Sequence, residues 1–519
     1  MIRIRQIKIR VDEDSKELLE EKIVKRLKIR EKIQQLKIVK KSIDARRKDE
    51  IFYVYDVDVA VNNESIVLAK NKELEKAPNE KYCFPHVSNE AKKQNVVIVG
   101  SGPAGLFCAY VLLENGIKPI VIERGADLED RVKDVEHFWA TGELDVNSNV
   151  QFGLGGAGTF SDGKLNTLVK DKLFRGKKVL EIFVENGAPE EILYVNKPHI
   201  GTDLLRTVIK NMYEKMVSMG CIFHFHSLLT DIVIENCQVK EIEINNEYFL
   251  SCDKLVLAIG HSARDTFELL YQKGFSMESK PFAVGVRIEQ KQKDIQENQY
   301  GKFANILPPA DYKLTYTTSQ NRGVYTFCMC PGGFVVNASS EKNRLAINGM
   351  SNYMRDEENA NSAVIVTVNK DDFGTHPLDG IRFQRDLESK AYQYANGLIP
   401  TQTYSDFVNN QITEEYGEIA PVHKGKTIYA NLNDILPDFI CDALKEAIPN
   451  MALKMPSFVS DAVLLSAIES RTSSPVRILR NECCESNIRG IYPCGEGAGY
   501  AGGITTSAMD GIKVAEQLI

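Results

Sequence analysis

The 519-residue sequence contains no Cys-x-x-Cys pair and no ferredoxin-like run of cysteines, which argues against a structural zinc site or an iron–sulfur cluster. Its 11 cysteines follow no framework spacing, as expected of reduced thiols rather than structural disulfides. No metal is expected. Apolar runs are short: LVLAI at 255–259 is strand-length, far below the ~20 residues that a membrane-crossing helix requires. The opening MIRIRQIKIR breaks every apolar pair with a charge, unlike an export signal. A cytoplasmic setting without a membrane partner is therefore expected. No repeat recurs at the ~20–50-residue periods of solenoids.

What is present is the composition of a folded protein, 43% hydrophobic and 26% charged, on a chain long enough for two or three domains with separate cores. The net charge of -7 conceals an asymmetry: residues 1–50 hold 17 Lys and Arg against 10 Asp and Glu, leaving -14 for the remainder. Two differently charged modules are implied. Residues 1–70 read as a small basic α+β domain. IRIRQIKIRV alternates apolar and basic residues but slips phase near Arg5 and Gln6, which predicts a strand with a bulge. Leu18, Leu19, Ile23 and Leu27 recur at helical spacing; a strand from about Leu36 follows, and the next places Tyr53, Tyr55, Val57, Val59 and Val61 on one face. Lys37, Lys40, Lys41, Arg46, Arg47 and Lys48 form either a contact for RNA or an acidic partner or, as charge runs commonly do, a solvated face; nucleic acid is not the favoured partner. Residues 71–94, rich in Lys and Glu with Pro78 and Pro85, read as a linker.

The chain turns abruptly apolar at Val96. VVIVGSGPAGLFCAYVLLENGIKPIVIERG carries a dinucleotide-binding fingerprint in full context, with a strand, a glycine turn, a helix, and a second strand ending at Glu123. Gly100 permits the tight turn, Gly102 lets backbone approach a pyrophosphate, and Gly105 lets the helix pack closely on the strand. Ser101, Pro103 and Ala104 complete the phosphate-facing segment, where a helix N-terminus offers free N–H groups. Glu123 stands where an acid accepts hydrogen bonds from adenosine ribose and repels a 2'-phosphate; Arg124 is its neighbour. The fingerprint by itself does not separate NAD from FAD.

The far end of the chain does. GIYPCGEGAGYAGGITTSAMDGIKVAEQLI resembles the C-terminal FAD motif of flavoproteins. That resemblance implies that Gly495 and Glu496 lie at the ribityl or pyrophosphate region, Glu496 standing where most such proteins have Asp. It also implies that N–H groups around Gly503, Ile504 and Thr505 approach the flavin's pyrimidine edge. QFGLGGAGTFSDGKL matches a second glycine-rich segment, with Gly155, Gly156, Ser161 and Asp162 as its contacts, or else is a surface loop. LVLAIGHSARDTF resembles the strand that returns to the dinucleotide, passing it at Gly260; His261 is read as a loop histidine. With KPHIGTDLL, PFAVGVRIEQ, CMCPGGFVVNASSE, NGMSNYMRDEENANSA and SRTSSPVRI, these segments resemble the bacterial family of uncharacterised FAD-dependent dehydrogenases, within the NAD(P)/FAD-dependent oxidoreductase superfamily, over nearly the whole chain. The resemblance implies an α/β fold: a Rossmann-like, glutathione-reductase-type FAD-binding domain, discontinuous at 95–280 and 481–519, a mixed α+β substrate domain at 281–480, and the N-terminal domain. It implies hydride transfer to or from flavin N5 and leaves the small-molecule substrate open.

Flavin supplies the redox chemistry, so catalytic residues can be inconspicuous. YTFCMCPGG reads as a strand in which Cys328 and Cys330 share a face, either as a redox pair or as two partly buried thiols; at ~6.5–7 Å between α-carbons such neighbours lie near the upper limit for a disulfide. Arg471, Ser473, Ser474 and Arg477 either bind an anionic group or brace a loop. Glycines 153, 155 and 156 follow no clear strand, so no second complete fingerprint serves a nicotinamide nucleotide. NAD(P)H as reductant would bind transiently; otherwise electrons come from the substrate or a redox partner protein. The competing reading is an FAD-containing binding or regulatory protein whose basic N-terminal module contacts RNA or an acidic partner.

Overall fold

The computed structural model describes residues 1–519 apart from 168 and 461. At the N-terminal end four strands pair antiparallel in the order Gln35–Asp44, Phe52–Ala60, Ile2–Arg10, Glu75–Lys76. The helix Lys16–Leu27 starts at Ser15, whose hydroxyl accepts from the Leu18 N–H, and presses Leu19, Ile23 and Leu27 onto Ile2, Ile4, Val57 and Val59. The phase slip is a bulge: pairing shifts between Ile4 and Ile7, with Gln6 at φ 60°. Three of the clustered basic residues are spoken for within the module, Lys41 by Asp14, Arg46 by Asp44 and Arg47 by Asp49. The outer edge of Gln35–Asp44 is partly covered, since Lys41 N–H donates to Tyr194 O and its carbonyl accepts from Asn196 N–H. The segment expected to be a linker is strapped down by Glu75–Lys76 in the sheet, by Tyr82 donating to Glu516, and by Lys177 donating to Glu80 O.

The nucleotide region is built on five parallel strands in the order Ile491–Pro493, Lys254–Leu257, Val96–Val99, Ile120–Ile122, Ile222–His224. Alternation along Val96–Val99 divides the core: Val96 and Ile98 meet the helices, while Val97 and Val99 meet an antiparallel meander, Leu229–Glu235, Gln238–Ile244 and Tyr248–Ser251. The helix Pro103–Glu114 is buried on nearly every side, which explains its unbroken apolar stretch from Leu106 to Leu113. The helix Ile504–Ala515 lies against it so closely that a β-carbon on Gly511 would stand 2.1 Å from Ala104 O.

Residues between these segments form a seven-stranded, mostly antiparallel sheet in the order Thr315–Thr317, Gly323–Cys330, Asn359–Val368, Phe282–Lys291, Leu464–Glu469, Ile399–Thr403, Thr427–Tyr429. Phe282, Val284, Val286 and Ile288 enter its apolar core with helix Asp438–Ala452. By the two-residue period of a strand, Arg287 and Glu289 occupy the opposite face, both buried.

Candidate functional site

Four of the parallel strands end at one cavity of about 390 Å³, lined at those ends by Val99, Ile122, Ala258 and Cys494. The chain leaves the central strand Val96–Val99 to one side of the sheet and returns on the other at Lys254–Leu257, and a crevice at the carboxyl ends beside such a reversal is where open α/β sheets bind ligands. Two helices begin there, Pro103–Glu114 after Gly102 and Ile504–Ala515 after Gly503; neither is capped by a side chain, so their first N–H groups and positive dipole ends face the cavity.

Local geometry accounts for the glycine turn. Gly100 has φ 99°, and a β-carbon there would stand 2.4 Å from Ala258 O; one on Gly105 would stand 1.9 Å from Gly100 O. Gly102, Pro103, Ala104, Gly100, Glu123, Arg124, Gly156, Ser161, Asp162, Gly260, Glu496, Gly503, Ile504 and Thr505 all line the cavity. Ser101, Gly105, Gly155 and Gly495 do not: Ser101 is fully buried with its N–H and hydroxyl on Glu123, and β-carbons on Gly155 and Gly495 would strike Thr159 and Ala104. Glu123 also differs from expectation. Its carboxylate accepts from Ser101 N–H, Ser101 hydroxyl, Gly125 N–H and Gly153 N–H, which fills its ordinary capacity and ties the fingerprint turn to the second glycine segment; a ribose hydroxyl would have to displace one of these donors. Arg124 is engaged by Asp265 and Asn147 and lies over the Phe152 ring. Asp162, buried, is paired with Arg355 and accepts from Ser351.

The SRTSSPVRI segment is braced by hydrogen bonds and ends in the strand Val476–Ile478, paired with Met277–Ser279. Arg471 reaches the cavity but is held by Glu388 (2.9 Å) and donates to Ser262 and Ser340, while Ser474 donates to Val476 and Gly497 carbonyls. Arg477 pairs with Glu278. His261 lies closer to the centre than a loop histidine: its Nδ1 donates to Glu496 Oε1 (3.0 Å), and its Nε2 is buried without a partner among the described residues.

Other residues at the site were not singled out from sequence. Arg131, fully buried, donates to the carbonyls of Asn149, Val150, Gly153 and Leu154 and so shapes the glycine loop; burial lowers its guanidinium to about 9. A signal existed, because Leu128, Arg131, Val135 and Phe138 fall on one face of helix Leu128–Thr141. Lys164, Phe327, Asn348 and Glu469 also line the cavity. The pair Cys328 and Cys330 is not in regular alternation: a bulge puts Cys328 at φ 43° on the cavity and leaves Cys330 buried. Among the described residues, no group of His, Cys, Asp and Glu is arranged to hold a metal ion.

The residues present fit a dinucleotide. A β-carbon placed on Gly260, Gly502 or Gly503 would meet nothing within 4 Å, an open cradle beside two helix N-termini, and the orphaned His261 Nε2 awaits a donor. Residues 93–134 match the FAD binding domain family, 281–472 the family described as FAD-dependent protein, C-terminal domain-like, and 1–60 a domain of unknown function. A relative from Clostridium beijerinckii, itself described as an uncharacterized protein, is 46% identical over 528 residues, covering 100% of this chain and 98% of its own. The chain belongs to an uncharacterised FAD-dependent family. Solved structures similar to this family member include an E. coli quinol fumarate reductase (12% identity, TM-score 0.37, 82% of this chain and 69% of that one). A glycine oxidase from Bacillus cereus (13%, TM-score 0.33, 82% and 95%) and a flavin-dependent brominase (14%, TM-score 0.36, 81% and 76%) are others. Likenesses at these scores carry no argument about the reaction.

Proposed function

We propose that the protein is an FAD-dependent oxidoreductase that moves hydride between a small-molecule substrate and flavin N5. The observation that carries this reading is the convergence of two uncapped helix N-termini, about 400 residues apart in sequence, on one cavity. In this reading residues 95–280 and 481–519 form a Rossmann-like FAD domain of glutathione-reductase type, and 281–480 form the substrate domain. Bound FAD supplies the two-electron chemistry. The start of Pro103–Glu114 holds the pyrophosphate by N–H donation, and the start of Ile504–Ala515 stabilises negative charge at the pyrimidine edge. His261, fixed by Glu496, accepts a cofactor hydroxyl at Nε2. Phe327 and Asn348 bound the substrate space and exclude water.

Anaerobic photometry of the holoprotein against NADH, NADPH and a panel of metabolites tests the reading. One donor is expected to bleach the oxidised flavin. A protein that holds FAD yet is reduced by none of them is a binder with a structural flavin, and a protein that refuses FAD overturns the cofactor reading itself.

A further inference from the structure

Strand Gly323–Cys330 breaks its regular pairing where it meets the cavity. Phe327 pairs with Ala363 and Cys330 with Asn361, so one strand spends an extra residue. Cys328 lies in that bulge at φ 43°, a left-handed conformation that a non-glycine residue keeps only where its surroundings enforce it. Three contacts enforce it. Arg287 Nη1 donates to Cys328 O at 3.2 Å, Cys330 Sγ donates to the same carbonyl at 3.3 Å, and Lys164 donates to Met329 O.

The bulge changes what two cysteines can do. In an unbroken strand their α-carbons would sit near the limit of disulfide reach; here the bulge turns Cys330 back so that its Sγ lies 3.3 Å from the carbonyl oxygen of Cys328. Cys328 lines the cavity and Cys330 is fully buried behind it. Beneath them Arg287 is fixed by Glu469 (2.9 Å), Asn361 (2.6 Å) and Asn348 (2.9 Å), with Nη1 3.9 Å from Cys330 Sγ. Gly349 makes room for it, since a β-carbon there would stand 2.0 Å from Nη1. The neighbouring Cys330, and then Arg287 and Lys164, draw the Cys328 thiol below its ordinary range, while Cys328 and burial push Cys330 up. An accessible, readily ionised sulfur backed by a buried partner is the arrangement of an attacking and a resolving thiol.

We propose that Cys328 and Cys330 are a redox-active dithiol/disulfide pair that exchanges two electrons with the flavin across their shared cavity. The inference rests on the FAD reading above. In the oxidising direction both sulfurs lose their hydrogens and an S–S bond forms between them; the two electrons and two protons reduce the oxidised isoalloxazine. In the reverse direction the reduced ring returns them and the bond opens.

Two measurements on the holoprotein test this. Anaerobic dithionite titration, read at the oxidised-flavin band, is expected to consume four electrons per flavin in the oxidised wild type and two in C330S; equal consumption overturns the proposal. The second needs no variant. Air-oxidised holoprotein is illuminated anaerobically with EDTA to reduce its own flavin, then denatured and alkylated with N-ethylmaleimide. Tryptic peptide 323–342 should pass from internally bridged to doubly alkylated, and stay bridged in illuminated apoprotein. A peptide already alkylated in the oxidised protein, or still bridged once the flavin has bleached, overturns the pair and leaves the FAD reading intact. A protein without flavin overturns both.

Discussion

At the scale of single residues, the fingerprint turn leaves no room for a methyl group at Gly100 or Gly105. Gly105→Ala would drive a β-carbon into Gly100 O, at 1.9 Å, and overpacking of this kind costs about 1–3 kcal/mol. The variant is expected to unfold at lower temperature and to purify with little flavin absorbance, both read on one sample. Arg131 makes a different demand. Its planar fork serves four carbonyls, a geometry that an ammonium group does not reproduce, so Arg131→Lys should lower the thermal midpoint and weaken FAD retention on dialysis. Wild-type retention in R131K would show that the glycine loop holds its shape unaided. The glycines were legible because the local backbone dictates them, whereas Glu123's saturation by four donors was not, since two of those donors come from residues 125 and 153.

Between elements, one tie is a buried cluster around Glu388. It sits on helix Asp379–Ala395 and receives Arg264 from helix Arg264–Gln272 at 2.7 Å, together with Arg471 and the Ser470 hydroxyl from beyond strand Leu464–Glu469. Burial raises its carboxyl, but the two guanidiniums outweigh that and hold it well below the usual carboxylate range. Because the folded value is depressed, the stability it contributes is present above the unfolded value of about 4.3 and is lost as pH falls below it. Glu388→Gln should therefore destabilise the protein by about 3–5 kcal/mol at pH 7, with the gap to wild type narrowing below about pH 4 in urea titrations. A gap independent of pH would assign the loss to packing. This cluster was invisible in sequence, because Glu388 lies 124 residues from Arg264 and 83 from Arg471 and they meet only in the folded chain. Strand-level features were plainer: the bulge at Gln6 announced itself as a phase slip among apolar and basic residues, and the one at Cys328 gave no such slip because Thr326, Phe327, Met329 and Cys330 read acceptably in either register.

For the whole molecule, the site is a joint between distant parts of the chain, and a ligand that spans it should hold the parts together. FAD at 100 times its dissociation constant is expected to add about 2.7 kcal/mol, seen as a concentration-dependent rise in melting temperature; an unchanged midpoint would mean that the dinucleotide does not prefer the folded state. The mixed α/β character was recoverable from sequence because both glycine turns carry their context with them, whereas the part of the cavity bearing Phe327, Asn348 and Glu469 depends on long-range strand pairing that no local pattern encodes. The order of the strands also has a consequence for biosynthesis. Strand Ile491–Pro493 and helix Ile504–Ala515 supply one side of the cavity yet are made about 400 residues after the glycine turn that supplies the other. At ~5–20 residues per second, a nascent chain carries its first glycine turn for roughly 20–80 s before the second exists. Throughout that interval the growing polypeptide has to shelter an unfinished cleft, and the yellow cofactor can be captured only near the end of translation.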